Sequence, residues 1–189
     1  MKNSVSVVIP VFNGEKSLME LYNNLTLTLE KACNIYEIIL VDDCSSDSSF
    51  SIMKKISLED TRVKSIRLLE NAGQQNSILC GMRYCKYDYI INMDDDLQHN
   101  SEDIIALLKK INEGYDIVYG IAKQKQHVGY RKLGSRLTNV FFDIVIKKPK
   151  DVYISSFRAF RKEVVDYIII ADTKFVYISA IALQKTKNI

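Results

Sequence analysis

Proline and glycine are scarce in this chain, with two and seven among 189 residues. No low-complexity stretch, internal repeat or Pro/Gly-rich linker interrupts it. It therefore reads as one domain of ordinary size, or one domain with a small appendage. The four cysteines, Cys33, Cys44, Cys80 and Cys85, form no C-x-x-C pair, and neither of the two histidines lies at ligand spacing. That argues against a zinc site and against a disulfide framework, and reduced thiols in the cytoplasm fit best. Long apolar runs are also missing. The nearest candidates, residues 167–171 and 175–183, are short and separated by Asp172 and Lys174, whereas a membrane span needs ~20 apolar residues. Residues 1–4 lead straight into a strand-like segment, so no signal peptide is expected. The net charge of only +3 gives no case for a nucleic-acid partner.

What is present is the composition of a core-forming chain, 47% hydrophobic and 26% charged. Residues 4–11 are nearly continuous and β-branched, as in a strand buried on both faces. Residues 15–31 carry Leu18, Leu21, Tyr22, Leu25 and Leu29 at spacings of three and four, an amphipathic helix. The alternation continues through strands at 36–41, 63–69, 87–93 and 115–121 and helices at 48–58, 74–85 and 101–113. Such alternation means an α/β fold with a mostly parallel sheet and helices on both faces. Beyond residue 121 it fails. A polar loop at 123–127 leads to a helix at 129–146 with a basic start (Arg131, Lys132, Arg136), then an extended stretch at 152–160, a short helix at 161–170 and a partly helical tail.

Ligands of parallel sheets bind outside the carboxyl ends of the strands. Here each of the first four strands ends in a polar cluster: Asn13, Asp42-Asp43, Asn71–Gly73 and Asp94–Asp96. The last is the most telling, an apolar run ending in three adjacent carboxylates followed by Leu97-Gln98. Like charges so placed repel, and a divalent cation would offset that. In an extended chain Asp94 and Asp96 point the same way, with Gln98 on that side and Asp95 on the other. An acidic turn capped by Asn100 or Ser101 is the plainer alternative. Turn geometry alone would equally account for Asn13 and Gly73, and helix capping for Ser45, Ser46 or Asp47.

Several ordered motifs carry a resemblance to a known family. Val8–Glu15 (VIPVFNGE), Leu40–Asp47 (LVDDCSSD), Asn71–Gln75 (NAGQQ), Met93–Gln98 (MDDDLQ) and Ser156–Arg158 with Arg161 follow one another as in glycosyltransferase family 2. Asp-x-Asp-Leu-Gln resembles the form found in polyprenyl-phosphate sugar transferases. The resemblance covers roughly residues 4–170. It implies a GT-A, Rossmann-like fold, with a catalytic domain over residues 1–170 divided into a nucleotide-binding half (1–121) and an acceptor-side half (122–170). Residues 171–189 would begin a truncated C-terminal segment. One departure is Cys44, where the family usually has glycine.

The resemblance further implies which residues act. The nucleotide sugar, UDP- or GDP-linked, would meet Pro10, Phe12, Asn13, Glu15, Asp42, Asp43, Ser45, Asn71, Gly73, Gln74, Asp94 and Asp95. Mg²⁺ or Mn²⁺ would be held by Asp94, Asp96 and Gln98. Asp95, Asp96 and Arg131 would be catalytic. A polyprenyl-phosphate acceptor would be gripped by Arg131, Lys132, Arg136 and Arg158. A phosphate acceptor, anionic at neutral pH, needs cations rather than a general base. That suits a chain in which no later acidic motif supplies a base; Asp151 stands nearest such a position. An ordinary solvated helix face is the competing account of Arg131, Lys132 and Arg136. His99 would touch the diphosphate or sit in a loop. The expected setting is the inner face of the membrane, reached through a missing C-terminal part or a partner protein. Alternatives are transfer to a sugar hydroxyl, a non-catalytic nucleotide-sugar-binding module, and a nucleotidyltransferase, the last disfavoured because residues 10–16 lack a Gly-rich basic loop.

Overall fold

The computed structural model describes residues 3–121, 153–171 and 176–189. Strand β1 (Asn3–Val11) leads into helix α1 (Leu18–Ala32), followed by β2 (Cys33–Asp42), α2 (Ser49–Glu59), β3 (Val63–Arg67), α3 (Gln74–Met82), β4 (Tyr89–Asn92), α4 (Asp103–Asn112) and β5 (Ile117–Tyr119). After the undescribed stretch come β6 (Arg158–Arg161), α5 (Lys162–Ile170) and α6 (Ile178–Lys185). The strands form one six-stranded sheet in the order β3-β2-β1-β4-β6-β5. β1 is parallel to β2 and β4, and β2 to β3, whereas β6 runs antiparallel to both β4 and β5.

Side-chain alternation along the strands divides the core in two. Val5, Val7, Ile9 and Val11 of β1 and Ile38 and Leu40 of β2 face Leu18, Leu21, Leu25 and Leu29 of α1, Met53 and Ile56 of α2 and the apolar side of α4. Val8, Ile39, Val41 and Ile90 face the other layer, built by Ile78 and Met82 of α3, Val164, Val165 and Ile168 of α5, and Ile178 and Ile181 of α6. The fold is thus α/β and mostly parallel, with helices on both faces. Among the described residues no helix is long and apolar enough to cross a membrane.

The departures from the sequence reading are local. α1 starts at Leu18 because Gly14 O takes the Ser17 and Leu18 N–H groups in a preceding turn. α3 stops at Met82, and residues 83–84 form a turn. β5 shrinks to three residues at the sheet edge. The place beside β4 is taken by β6, whose first three residues, Arg158, Ala159 and Phe160, are all buried. The helix read from residue 161 starts at Lys162. The expected basic helix at 129–146, with Arg131, Lys132 and Arg136, lies outside the described residues, as do His127 and Asp151.

Candidate functional site

Because β1 to β4 are mutually parallel, their carboxyl ends share one edge, and the loops that follow converge there. A cleft of about 380 Å³ opens among them, lined by Pro10, Val11, Phe12, Asp43, Asn71, Gly73, Gln74, Asp94 and Asp95. Of the residues expected at a nucleotide sugar, Pro10, Phe12, Asp43, Asn71, Gly73, Gln74, Asp94 and Asp95 are therefore brought together. Val11 adds to them; its side chain is buried in the core, and only position next to Phe12 hinted at it. Asn13, Glu15, Asp42 and Ser45 are not among the lining residues, and each has a visible occupation.

Asp42 is the last residue of β2 and has no exposed surface. Its carboxylate receives the Ser45 N–H at 3.3 and 3.4 Å and pairs with Arg67 Nε at 3.2 Å. It faces the protein interior rather than a ligand. Asp43, one residue on, accepts the Ala72 N–H on Oδ1 (2.8 Å) and the Gly73 N–H on Oδ2 (2.9 Å). It thereby ties the end of β2 to the loop entering α3, where Gly73 takes φ +83°. The glycine serves turn geometry and lines the cleft as well.

Asn13, with φ +54°, accepts the Ser46 N–H on Oδ1 at 2.9 Å, and its own N–H donates to Ser45 Oγ at 3.0 Å. Glu15 Oε2 accepts the Ser48 N–H at 3.0 Å, and the Glu15 N–H donates to Asp47 Oδ2 at 3.1 Å. Gly14 N–H donates to Ser49 Oγ at 2.9 Å. These bonds stitch the β1–α1 loop to the β2–α2 loop and give one wall of the cleft a fixed shape. Asp47 Oδ1 also accepts the Ser49 N–H at 2.9 Å, so the start of α2 is served without Asp42 or Asp43.

The acidic cluster behaves differently from an extended strand end. β4 stops at Asn92 and the chain bends through residues 95–97, with Leu97 at φ +57°. Strict alternation therefore does not govern Asp94 and Asp96. Asp94 Oδ1 accepts from Gln74 Nε2 at 2.6 Å, and Oδ2 from Ser156 Oγ at 2.5 Å. Asp95 turns inward. Its carboxylate takes the Phe12 N–H, and its Oδ2 is buried with no hydrogen-bond partner among the described residues. A Cβ on Gly14 would lie 2.4 Å from that oxygen, so the close approach depends on glycine. Burial pushes the Asp95 carboxyl up to about 6, offset by the Phe12 and Asp95 N–H groups and reinforced by Asp96 and Asp94. Asp96 is exposed, and its Oδ1 accepts the Gln98 N–H at 3.0 Å. Gln98 is exposed as well. Among the described residues no three His, Cys, Asp or Glu side chains form a ready-made metal cage.

Arg158 corrects an expectation. The sequence placed it at an acceptor phosphate, but it is 2% exposed. Its place in β6, paired with Asn92 on one side and Tyr119 on the other, turns it into the core beside α6. There it donates to Ser179 Oγ and lies 5.3 Å from the Phe160 ring, while its Nε and Nη2 have no hydrogen-bond partner among the described residues. Burial lowers its pKa. His99 stacks on Phe157 with ring centroids 4.6 Å apart, which gives it a loop-packing role. Ser156, quoted in the sequence only as part of a motif, turns out to hold Asp94. No local pattern announces that contact, since the two residues come from distant parts of the chain.

The family model described as "Glycosyl transferase family 2" matches residues 6–169. Two undecaprenyl-phosphate 4-deoxy-4-formamido-L-arabinose transferases, from Salmonella choleraesuis (strain SC-B67) and Salmonella paratyphi B (strain ATCC BAA-1250 / SPB7), are each 36% identical over 179 residues, covering 94% of this chain and 55% of theirs. The chain thus spans about half the length of the curated relatives it matches. Among solved structures, a Pyrobaculum calidifontis mannosyltransferase in complex with GDP-Man and Mn²⁺ superposes with a TM-score of 0.64 at 16% identity, covering 88% of this chain and 46% of that one. A Mycobacterium tuberculosis glucosyl-3-phosphoglycerate synthase in complex with Mn²⁺, UDP and phosphoglyceric acid gives 0.64 at 14%, covering 86% and 57%. At these identities the likeness is one of fold, and the fold is GT-A.

Proposed function

The chain belongs to glycosyl transferase family 2, and on that premise we propose that it moves a glycosyl group from a UDP- or GDP-linked sugar to a polyprenyl phosphate, in the synthesis of cell-envelope glycans. The observation that carries this reading is the cleft at the strand ends, where Asp43, the loop through Gly73 and the acidic cluster meet in a volume of about 380 Å³. The acceptor class is supported by the names of the curated relatives.

The cleft's parts suit a nucleotide sugar. Phe12, 52% exposed, offers an apolar face to a base. Each Asp43 oxygen already takes one backbone N–H, and a carboxylate oxygen keeps a second lone pair for a ribose hydroxyl or base N–H. The start of α3, at Gly73 and Gln74, turns the positive end of a helix dipole toward the cleft, where a diphosphate is favoured. Asp94 and Asp96, with Gln98, would hold Mg²⁺ or Mn²⁺. An all-oxygen set suits a hard cation, and such ions use one or two carboxylates together with substrate phosphates rather than a complete protein cage. When bound, the ion would neutralise charge growing on the departing nucleoside diphosphate. Asp95, inward and half-buried, would keep the loop at Phe12 and Gly14 in place beside the sugar.

Transfer would be an inverting single displacement. An acceptor phosphate oxygen forms the bond to the anomeric carbon as the bond to the nucleoside diphosphate breaks. A phosphate with a second pKa of about 6 is already nucleophilic at neutral pH, so its chief need is cations. We assign that role to Arg131, Lys132 and Arg136, with Arg131 also as a catalytic residue, and leave Arg158 out of it. Residues 1–121 would serve the donor and residues 122–170 the acceptor. Contact with the membrane's inner face would come through a further part of the protein or a partner.

The test is a thermal-shift screen of UDP- and GDP-sugars with and without MnCl₂, followed by radiolabel transfer to undecaprenyl phosphate. Asp96→Asn is expected to lower transfer at least 100-fold while leaving the unfolding midpoint nearly unchanged, because the side chain is exposed. Full activity in that variant would refute the site. Donor binding without transfer to any acceptor would favour a non-catalytic module, and transfer only to a sugar hydroxyl would reassign the acceptor.

A further inference from the structure

Asp94 is held from two directions. Gln74, the first residue of α3, reaches Oδ1, and Ser156, in the segment that enters β6, reaches Oδ2. Ser156 Oγ lies 2.5 Å from Asp94 Oδ2, with the hydroxyl as donor. Ser156 itself has little freedom. Its neighbour Phe157 is buried, stacks with His99, and accepts the Gly120 N–H on its carbonyl at 2.8 Å. Two residues on, Arg158 is locked in register between Asn92 and Tyr119. Asn92 in turn stands two residues before Asp94. The register that places β6 beside β4 therefore also places the Ser156 hydroxyl at the acidic cluster.

Two hydrogen bonds, one per oxygen, stop the Asp94 carboxylate from rotating. They leave one lone pair on each oxygen for another partner. Groups that orient a metal-ligating carboxylate in this way ordinarily set metal affinity by a factor of about 10 to 100.

We propose that Ser156 is a positioning residue for the donor site, fixing Asp94 so that its remaining lone pairs meet the cation that accompanies the nucleotide diphosphate. This rests on the reading that Asp94 ligates a divalent ion. It adds that the chain beyond β5 reaches back to set that ligand's geometry.

The experiment uses the full chain with MnCl₂ and either UDP or GDP, and reads bound Mn²⁺ from loss of the six-line electron paramagnetic resonance signal of the free ion. The unfolding midpoint without ligands is recorded alongside. Ser156→Ala is expected to weaken Mn²⁺ binding in the presence of the nucleotide about tenfold, with the ligand-free midpoint within a few degrees of wild type. Wild-type affinity in Ser156→Ala would overturn the positioning role while leaving the metal reading intact. Failure of the wild-type chain to take up Mn²⁺ with either nucleotide would overturn both. If Ser156→Ala also lowers the ligand-free midpoint by more than that, Ser156→Thr decides. Recovery of Mn²⁺ binding with the hydroxyl restored supports the role, and no recovery overturns it.

Discussion

Cys44 sits at φ +61°, in the left-handed region that favours glycine. The motif it occupies ordinarily carries glycine there, and the structure supplies the reason, because the chain must turn sharply between Asp43 and Ser45 to bring both onto their partners. A non-glycine residue in that conformation is strained by roughly 1–2 kcal/mol. Among the described residues the compensation is one long contact from Sγ to the Leu69 carbonyl at 3.7 Å. Cys44→Gly is therefore expected to stabilise the protein by about 1 kcal/mol, after allowing for the added freedom of glycine in the unfolded chain. A urea titration comparing unfolding midpoints checks this, and an unchanged or lower midpoint would contradict it. Single residues also show the limit of reading motifs. Asp42 and Asp43 are indistinguishable as neighbours in sequence. The strand's length separates them: Asp42 still belongs to β2 and points into the core, while Asp43 lies beyond it at the cleft. Arg158 was misplaced for the same reason, since the resemblance located its motif without saying which face of β6 it takes.

Connections between elements were harder to read than the elements themselves. Helices α1 and α4 declare themselves by apolar spacing, and the four parallel strands by β-branched runs ending in polar clusters. β6 does not, because a four-residue strand with an arginine at each end and three residues buried looks like neither a core strand nor an edge. Its insertion between β4 and β5 is settled by long-range pairing, which no local pattern encodes. The far end of the sheet holds a connection that can be tested alone. Asp60, between α2 and β3, accepts Arg62 N–H at 2.9 Å, Arg62 Nη2 at 2.8 Å and the Tyr22 hydroxyl of α1 at 2.9 Å. Arg62 holds its carboxyl down at about 2, helped by Tyr22 against the opposing effect of burial. A depressed carboxyl contributes stability that is present above its unfolded value near 4 and is lost as pH falls through about 2. Asp60→Asn should cost about 1–3 kcal/mol at pH 7. The gap between variant and wild-type unfolding midpoints should then close progressively from pH 4 toward pH 2. A gap that stays constant over that range would show that the charge is irrelevant.

At the scale of the molecule, the two cores are unequal in how they are assembled. The layer with α1, α2 and α4 takes its helices from before residue 113 and only Phe157, Ala159 and Val118 from after it, whereas the layer over the other face needs α5 and α6 from the end of the sequence. α6 buries Ile178, Ile181 and Leu183, and its Ser179 receives the buried Arg158 guanidinium. The residues after it return to the sheet edge, where Asn188 O accepts the Asp116 N–H at 3.0 Å and Thr186 Oγ1 donates to Asp116 Oδ2 at 2.6 Å. Each large apolar side chain so buried contributes about 1.5–3 kcal/mol. Three of them approach the net stability of a typical domain, about 5–15 kcal/mol. Ser179 also accepts a hydrogen bond from the buried Arg158 guanidinium, so losing that hydroxyl alone, with α6 still in place, leaves a buried cation with fewer partners, a loss of several kcal/mol. Deletion of residues 176–189 is therefore expected to abolish cooperative unfolding and near-ultraviolet dichroism even though every residue of the cleft is retained. Ser179→Ala alone should leave a cooperative transition at a lower midpoint. A truncated chain that melts cooperatively within a few degrees of the full one would mean that α6 packs on a core complete without it, and that the Arg158 charge is balanced elsewhere.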